Sequence, residues 1–76
     1  MKDLVLYIAK ALVDNPEKVE VKEVAGEKAT VIELKVEETD RGKIIGKEGR
    51  IIKSIRTIVN SASAKADKRA TVEIIE

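Results

Sequence analysis

The 76-residue sequence contains no cysteine and no histidine. Without cysteine there are no disulfide bonds and no thiolate metal sites. Without histidine the chain lacks the commonest general base and metal ligand of proteins. No apolar run approaches the ~18 residues of a membrane-spanning helix, and no small-residue cleavage site follows Lys2 and Asp3. We therefore expect a small non-enzymatic protein of the cytoplasm, with no metal, no cofactor and no membrane insertion.

Aromatic residues are nearly absent as well, since Phe and Trp are missing and Tyr7 stands alone. The core must then consist of Ile, Val, Leu and Ala. We expect residues 1–76 to form a single domain, and a domain this small with such a core is marginally stable by itself. Association with a partner and a surface network of ion pairs are two ways in which such a domain gains the stability that its small core does not supply.

The charges are unevenly distributed, although the formal net charge is only +1. Residues 1–40 carry six lysines and ten acidic residues, a net of −4. Residues 41–69 carry nine basic and two acidic residues, a net of +7, and residues 70–76 add −2. A local basic segment of this kind can bind a polyanion. A solvated helix face is the alternative interpretation.

The first half of the chain predicts a helix over 2–14 followed by a β-hairpin. Asn15-Pro16 ends the helix, because proline cannot continue its hydrogen bonds. Apolar residues at helical spacing form its inward face: Leu4, Val5, Ile8, Ala9 and Leu12. Leu6, Tyr7 and Val13 point away from that face, either toward another chain or over the rim of a sheet. Alternating residues predict strands over 18–24 and 30–37, joined by a turn at 25–28.

The second half predicts a short helix over Arg41–Ile45, a loop over 46–49, a long helix from Arg50 to about Ala66, and a strand over 70–75. Thr39 and Asp40 are residue types that cap helix N-termini. The inward face of the long helix is Ile51, Ile52, Ile55, Ile58, Val59 and Ala62. The order α-β-β-α-α-β predicts a two-layer α+β domain, with three helices on one face of a three-stranded sheet.

The segment that carries chemistry is GKIIGKEGRIIKSI, from Gly42 to Ile55. Gly46 and Gly49 allow a tight turn and the close approach of another backbone. Gly49 leads directly into the long helix, whose free N–H groups and positive dipole end face the loop. Lys47 and Arg50 add donors that suit phosphate. The segment predicts a clamp for a phosphate backbone, and a plain turn between two helices is the alternative.

Two other glycine-rich loops do not fit this segment. An ATP-binding P-loop needs one more residue between Gly42 and Gly46, and Ser or Thr in place of Glu48. The dinucleotide motif needs a different glycine spacing and a preceding strand.

The motif is similar to the signature of the K-homology (KH) family, I-G-x-x-G-x-x-I-x-x-I, at Ile45, Gly46, Gly49, Ile52 and Ile55. The predicted order of elements is that of the type II, prokaryotic KH arrangement. The resemblance covers the whole chain and is greatest to small bacterial RNA-binding proteins with a single KH domain, of the KhpA type. It implies that the GxxG loop clamps about four nucleotides of single-stranded RNA.

We expect ten residues in and around the loop to contact RNA: Arg41, Lys43, Ile45, Gly46, Lys47, Glu48, Gly49, Arg50, Ile52 and Lys53. Arg41, Lys43, Lys47 and Arg50 are included because they bracket the loop, and a general surface role is the alternative for Lys53. Ile45 and Ile52 are expected to line a groove for the bases. Glu48 departs from a phosphate-binding pattern, because it places a carboxylate beside Lys47. We therefore expect modest, sequence-tolerant binding, and the lack of aromatic residues for base stacking has the same consequence.

As partners, the resemblance implies a homodimer, or a heterodimer with a larger KH-domain protein. It further implies an RNA chaperone or adaptor with a link to cell-envelope growth and cell shape. A second hypothesis is a dimerising protein-interaction scaffold with weak or vestigial RNA binding.

Overall fold

The computed structural model describes residues 1–75 and has an α+β fold. Its elements are α1 (Lys2–Leu12), β1 (Glu20–Ala25), β2 (Thr30–Lys35), α2 (Arg41–Ile45), α3 (Arg50–Lys65) and β3 (Ala70–Ile74). Short 3₁₀ turns occupy Pro16–Lys18, Glu38–Asp40 and Lys47–Gly49. The predicted order α-β-β-α-α-β and the fold class are confirmed. Strand β1 begins two residues later than predicted, after the turn Pro16–Lys18, and β2 ends at Lys35, two residues earlier than predicted and ahead of the turn Glu38–Asp40.

The three strands form one mixed sheet in the order β1-β2-β3. β1 and β2 are antiparallel, with Glu20 opposite Lys35. β2 and β3 are parallel, with Thr30 opposite Ala70. A tight turn is enough for the antiparallel pair, whereas the parallel pair needs a crossover. α2, the Lys47–Gly49 turn and α3 provide that crossover, and the candidate loop therefore lies in its middle.

The core is aliphatic, as the lack of Phe and Trp requires. It is formed by Val5, Ala9, Val13, Val19, Ile32, Leu34, Val36, Ile44, Ile52, Ile55, Val59, Ala70 and Val72. Alternate residues of β2 and β3 are apolar and point to the same face of the sheet. The helices pack on that face and bury these residues. No helix within residues 1–75 has both the length and the apolar character to cross a membrane.

Three core assignments from the sequence are wrong. Leu12 and Ile58 are exposed, Ile58 by 47%, and Val13 is buried. Val13 turns inward because α1 ends at Leu12 and Val13 is extended, with φ −96° and ψ 161°. Ile58 directly precedes the buried Val59, so it lies about 100° around the helix from it. That rotation places Ile58 at the edge of the packed face.

A buried carboxylate ends α1. Asp40 is 1% exposed, and its oxygens accept hydrogen bonds from the Asp14 N–H (3.2 Å), the Asn15 N–H (3.0 Å) and the Asn15 side-chain amide (3.1 Å). These two backbone N–H groups would otherwise continue the helix. Asp40 is the N-cap residue of α2, as its residue type predicts, but within residues 1–75 its side chain makes no capping hydrogen bond there, because its oxygens accept from the end of α1 instead.

Lys43 completes this network. Its ammonium group donates to the Asp14 carboxylate and lies 3.6 Å from Oδ1 of Asp40. The hydrogen bond to Asp14 raises the pKa of Lys43, partly opposed by burial. Burial raises the pKa of Asp40, but the hydrogen bonds from Asp14 and Asn15 and the charge of Lys43 outweigh it, so the pKa of Asp40 lies below its ordinary value of 3.8. We call these four residues the Asp40 clasp; it joins the end of α1 to α2.

The clasp predicts an acid-dependent contribution to stability. Asp40→Asn leaves N–H donors facing an amide, so we expect Tm at pH 7 to fall by at least about 5 °C. A carboxylate with a lowered pKa in the folded state stabilises fully above its unfolded pKa and loses that effect as the pH falls through the folded pKa. The difference between the two proteins should therefore shrink below pH 3.8, the ordinary pKa of Asp40.

Thermal unfolding followed by circular dichroism between neutral and acidic pH measures this effect. Glu38→Gln is the matched control, because Glu38 is exposed and the substitution makes the same charge change nearby. Equal Tm values for the two variants across the pH range would contradict the assignment of Asp40.

Candidate functional site

The turn between α2 and α3 contains three residues with positive φ. Gly46 has φ 75° and ψ 173°, Glu48 has φ 57° and ψ 24°, and Gly49 has φ 74° and ψ 16°. Glycine adopts these angles without the steric penalty that a Cβ introduces. The Gly46 N–H donates to the Gly42 carbonyl at 2.8 Å, and the Gly49 N–H donates to the Gly46 carbonyl at 3.1 Å. The backbone therefore closes the turn by itself.

Gly46 is required for a second reason, which is its contact with Ile51. A Cβ on Gly46 would lie 2.6 Å from Cγ1 and 2.9 Å from Cβ of Ile51. At Gly49 the nearest atom to such a Cβ is 3.9 Å away. Position 46 thus requires glycine both for its positive φ and for its packing against Ile51, whereas position 49 requires glycine for its positive φ alone.

Glu48 is the one residue of the turn other than glycine whose backbone is left-handed. Its Oε2 lies 3.4 Å from Nη2 of Arg50, and both side chains are exposed. An exposed ion pair of this kind contributes little to stability. Its consequence is local, because the Glu48 carboxylate occupies one of the guanidinium donors that the turn offers to an anion.

The structure separates the basic residues that the sequence grouped together. Lys47 and Lys53 are exposed, and no carboxylate among residues 1–75 is within ion-pair distance of them. Arg50 shares its charge with Glu48, and Lys43 is engaged in the Asp40 clasp. Arg41 is half-buried at the start of α2. Of the basic residues predicted at the site, Lys47 and Lys53 are therefore the most available to a ligand.

The two isoleucines predicted to line a groove differ in exposure. Ile45 is 38% exposed at the end of α2, next to the turn, whereas Ile52 is 6% exposed. Ile45 is therefore accessible to a ligand bound beside the turn. Ile52 supports the turn from the core side, and Ile51 packs against Gly46.

The N-terminus of α3 also faces the turn. Gly49 is its N-cap, and no side chain within residues 1–75 caps it. The first turn of the helix carries no acidic residue. Free N–H groups and the positive end of the dipole suit an anion such as phosphate. In the described part of the chain no group of three or more His, Cys, Asp or Glu side chains is arranged to hold a metal ion.

Sequence reasoning missed two supports of this site. The first is the Asp40 clasp, because Asn15-Pro16 indicated only a helix end and Asp40 only a cap. The second is the contact of Ile51 with Gly46, because the helical pattern placed Ile51 in the core without showing what it touches. The pairing of Lys43 with two acids is visible only once α1 and α2 are adjacent.

Comparison with known proteins gives concordant matches over the whole length. The family described as KhpA/KhpB, KH domain matches residues 2–74. The RNA-binding protein KhpA of Clostridium perfringens is 57% identical over 75 residues, which cover 99% of this chain and 100% of that protein. The RNA-binding protein KhpA of Aquifex aeolicus is 50% identical over 76 residues, which cover 100% and 96%. No solved structure gives a significant match.

The unequal environments of the two glycines predict unequal costs of substitution. Gly49→Ala introduces strain at positive φ alone, and we expect a loss of about 1 kcal/mol in the free energy of unfolding. Gly46→Ala adds the collision with Ile51, and we expect a loss of about 2–4 kcal/mol. Chemical denaturation of the two variants measures the difference. In Gly46→Ala/Ile51→Ala the collision is reduced, so the double variant should lose less than the two single variants combined. Equal costs for the two glycines, or strict additivity, would contradict the contact.

Proposed function

The chain belongs to the KhpA/KhpB family of KH-domain proteins, a non-enzymatic family, and we propose that it clamps single-stranded RNA with the loop from Gly46 to Gly49. The observation that carries this proposal is the turn itself: two glycines at positive φ, an exposed Lys47 and an uncapped helix N-terminus lie together. The relatives that match over their full length are named RNA-binding proteins, which supports the same conclusion.

In this proposal one or two phosphates of the RNA lie against the turn. The glycines let the RNA backbone approach closely, because no Cβ stands in the way. Lys47 and the first N–H groups of α3 contact the phosphate oxygens, and Arg50 joins them when Glu48 releases it. The adjacent bases lie over Ile45. A duplex keeps its bases stacked and paired, so we expect double-stranded RNA to bind less well.

The same features account for weak sequence preference. Within residues 1–75 the only aromatic side chain is Tyr7 on α1, so base stacking near the turn, worth about 1–3 kcal/mol per base, does not contribute. Phosphate contacts carry no sequence information. Such binding suits an RNA chaperone or adaptor in the cytoplasm, and we expect residues 1–76 to act as a single KH domain. The link to cell-envelope growth and cell shape rests on the family resemblance alone.

Protein association is a second candidate function, and exposed apolar residues favour it. Ile58 is 47% exposed on α3 and Tyr7 is 75% exposed on α1, and removing their apolar surface from water would favour association. A homodimer, or a heterodimer with a larger KH-domain protein, would cover them. The two functions are distinguished by a loop variant, since a scaffold keeps its partner when RNA binding is lost.

The central experiment is the variant Lys47→Asp/Glu48→Asp. It keeps both glycines, and aspartate tolerates the positive φ of position 48. It changes the charge of the loop from zero to −2, so we expect RNA binding to be lost while the fold survives. Circular dichroism, gel filtration and an RNA titration measure these outcomes. Glu17→Asp/Lys18→Asp is the matched control, because it makes the same substitutions in an exposed turn away from the loop. A folded loop variant that binds RNA as tightly as the control would favour the scaffold.

The ion pair of Glu48 with Arg50 predicts that Glu48 limits affinity. Glu48→Lys frees Arg50 and adds a donor, so we expect tighter RNA binding with little change in Tm. For the natural protein we expect log Kd to vary with log salt with a slope magnitude of about 1–3, and the new contact should add about 0.7. Glu48→Gln separates the loss of repulsion from the gain of a donor and should fall between the two. Unchanged or weaker binding by Glu48→Lys would mean that Glu48 does not face phosphate.

A further inference from the structure

The long helix α3 contains four basic residues and no acidic residue. Its exposed face runs from Arg50 through Lys53, Thr57 and Asn60 to Ala64. At a rise of 1.5 Å per residue, this face extends about 21 Å from Arg50 to Ala64. A polyanion that leaves the GxxG loop along this face meets no carboxylate on α3.

The far end of this face opens into a cleft of about 540 Å³ between the β1–β2 turn and the segment that joins α3 to β3. Ala64 lines it together with Lys28, Lys68 and Arg69. No carboxylate among residues 1–75 lies within ion-pair distance of these three cations. Glu27 and Asp67 also line the cleft, so the net charge of the lining is +1.

A buried hydroxyl without a hydrogen-bond partner lies at the same place. Ser63 is 2% exposed, and its Oγ has no partner within residues 1–75. It lines a recess of about 230 Å³ that shares Lys68 and Arg69 with the cleft. Because an unpaired buried hydroxyl costs free energy, such groups are usually satisfied by water or by a ligand oxygen.

We propose that this cleft contacts a second phosphate of the RNA strand held by the GxxG loop, an inference that rests on the proposed function. Lys68 and Arg69 bind the phosphate, and the buried Ser63 hydroxyl donates to it through a water molecule in the recess. The acid-free face of α3 joins the two contacts, which favours a continuous strand over a free nucleotide. Glu27 and Asp67 keep the contact weak, so it adds to binding at the loop and does not replace it.

The test compares single-stranded RNAs of about four nucleotides and about 16 nucleotides by fluorescence anisotropy. The cleft variant is Lys68→Gln/Arg69→Gln, and the matched control is Lys10→Gln/Lys18→Gln, at exposed lysines that line neither the cleft nor the loop. For the cleft variant we expect a loss of about 3- to 10-fold for the longer RNA, no change for the shorter, and a salt slope reduced by about 0.7 per lost contact.

A second variant, for which the expected change in affinity is a gain, strengthens the test. Glu27→Gln/Asp67→Asn removes the two carboxylates, and asparagine suits the positive φ of position 67. We expect this variant to bind the longer RNA more tightly and the shorter RNA unchanged.

Three results would overturn the proposal: a cleft variant that behaves like the control, a cleft variant that weakens both RNAs equally, or AMP that binds the cleft as tightly as the longer RNA does. Failure of the proposed function looks different. In that case Lys47→Asp/Glu48→Asp binds both RNAs normally, whatever the cleft variant does.

Discussion

The contact between the Gly46 backbone and the Ile51 side chain is the constraint on which the candidate site depends. It leaves no room for a Cβ at position 46, so the chain must pass from α2 to α3 without a side chain at that point. Because Ile51 belongs to the first turn of α3, the contact also fixes where the helix begins. The N–H groups at its start therefore face the turn that carries Lys47. The packing and the phosphate recognition that we propose thus depend on the same few residues, and Gly46 takes part in both.

Contacts within the protein engage some residues of the basic segment 41–69 and leave others available to a ligand. Lys43 is taken up by the Asp40 clasp, and the guanidinium Nε of Arg56 donates to the Val72 carbonyl of β3 at 3.0 Å. Arg50 is held by Glu48. Lys47 and Lys53 remain exposed beside the turn. Next to the turn, this basic segment therefore leaves only Lys47 and Lys53 fully available to a ligand, which is why we expect modest affinity and a shallow salt dependence for binding at the loop.

Much of the fold could be predicted from the sequence, because helical and alternating periodicities are local properties. The bounds of α2 and the start of α3 agree with the prediction, since glycines mark both. The end of α1 does not, because it depends on Asp40, more than twenty residues further along the chain. The exposure of Ile58 was missed for a related reason: the pattern defines a helical face, but the width of that face depends on what packs against it. At the candidate site, the residue types around the GxxG loop were predictable, whereas the engagement of Lys43 and the pairing of Glu48 with Arg50 depend on tertiary geometry.

The most direct test of the account is a map of amide chemical shifts as a short single-stranded RNA is added to the isotopically labelled protein. The account predicts that the largest changes occur at the Gly46–Gly49 loop, at Ile45 and in the first turn of α3, and that they diminish as salt is added. Changes confined to the uncovered face of the sheet, or to the surroundings of Tyr7 and Ile58, would contradict it. So would the absence of any change at the loop while RNA binds.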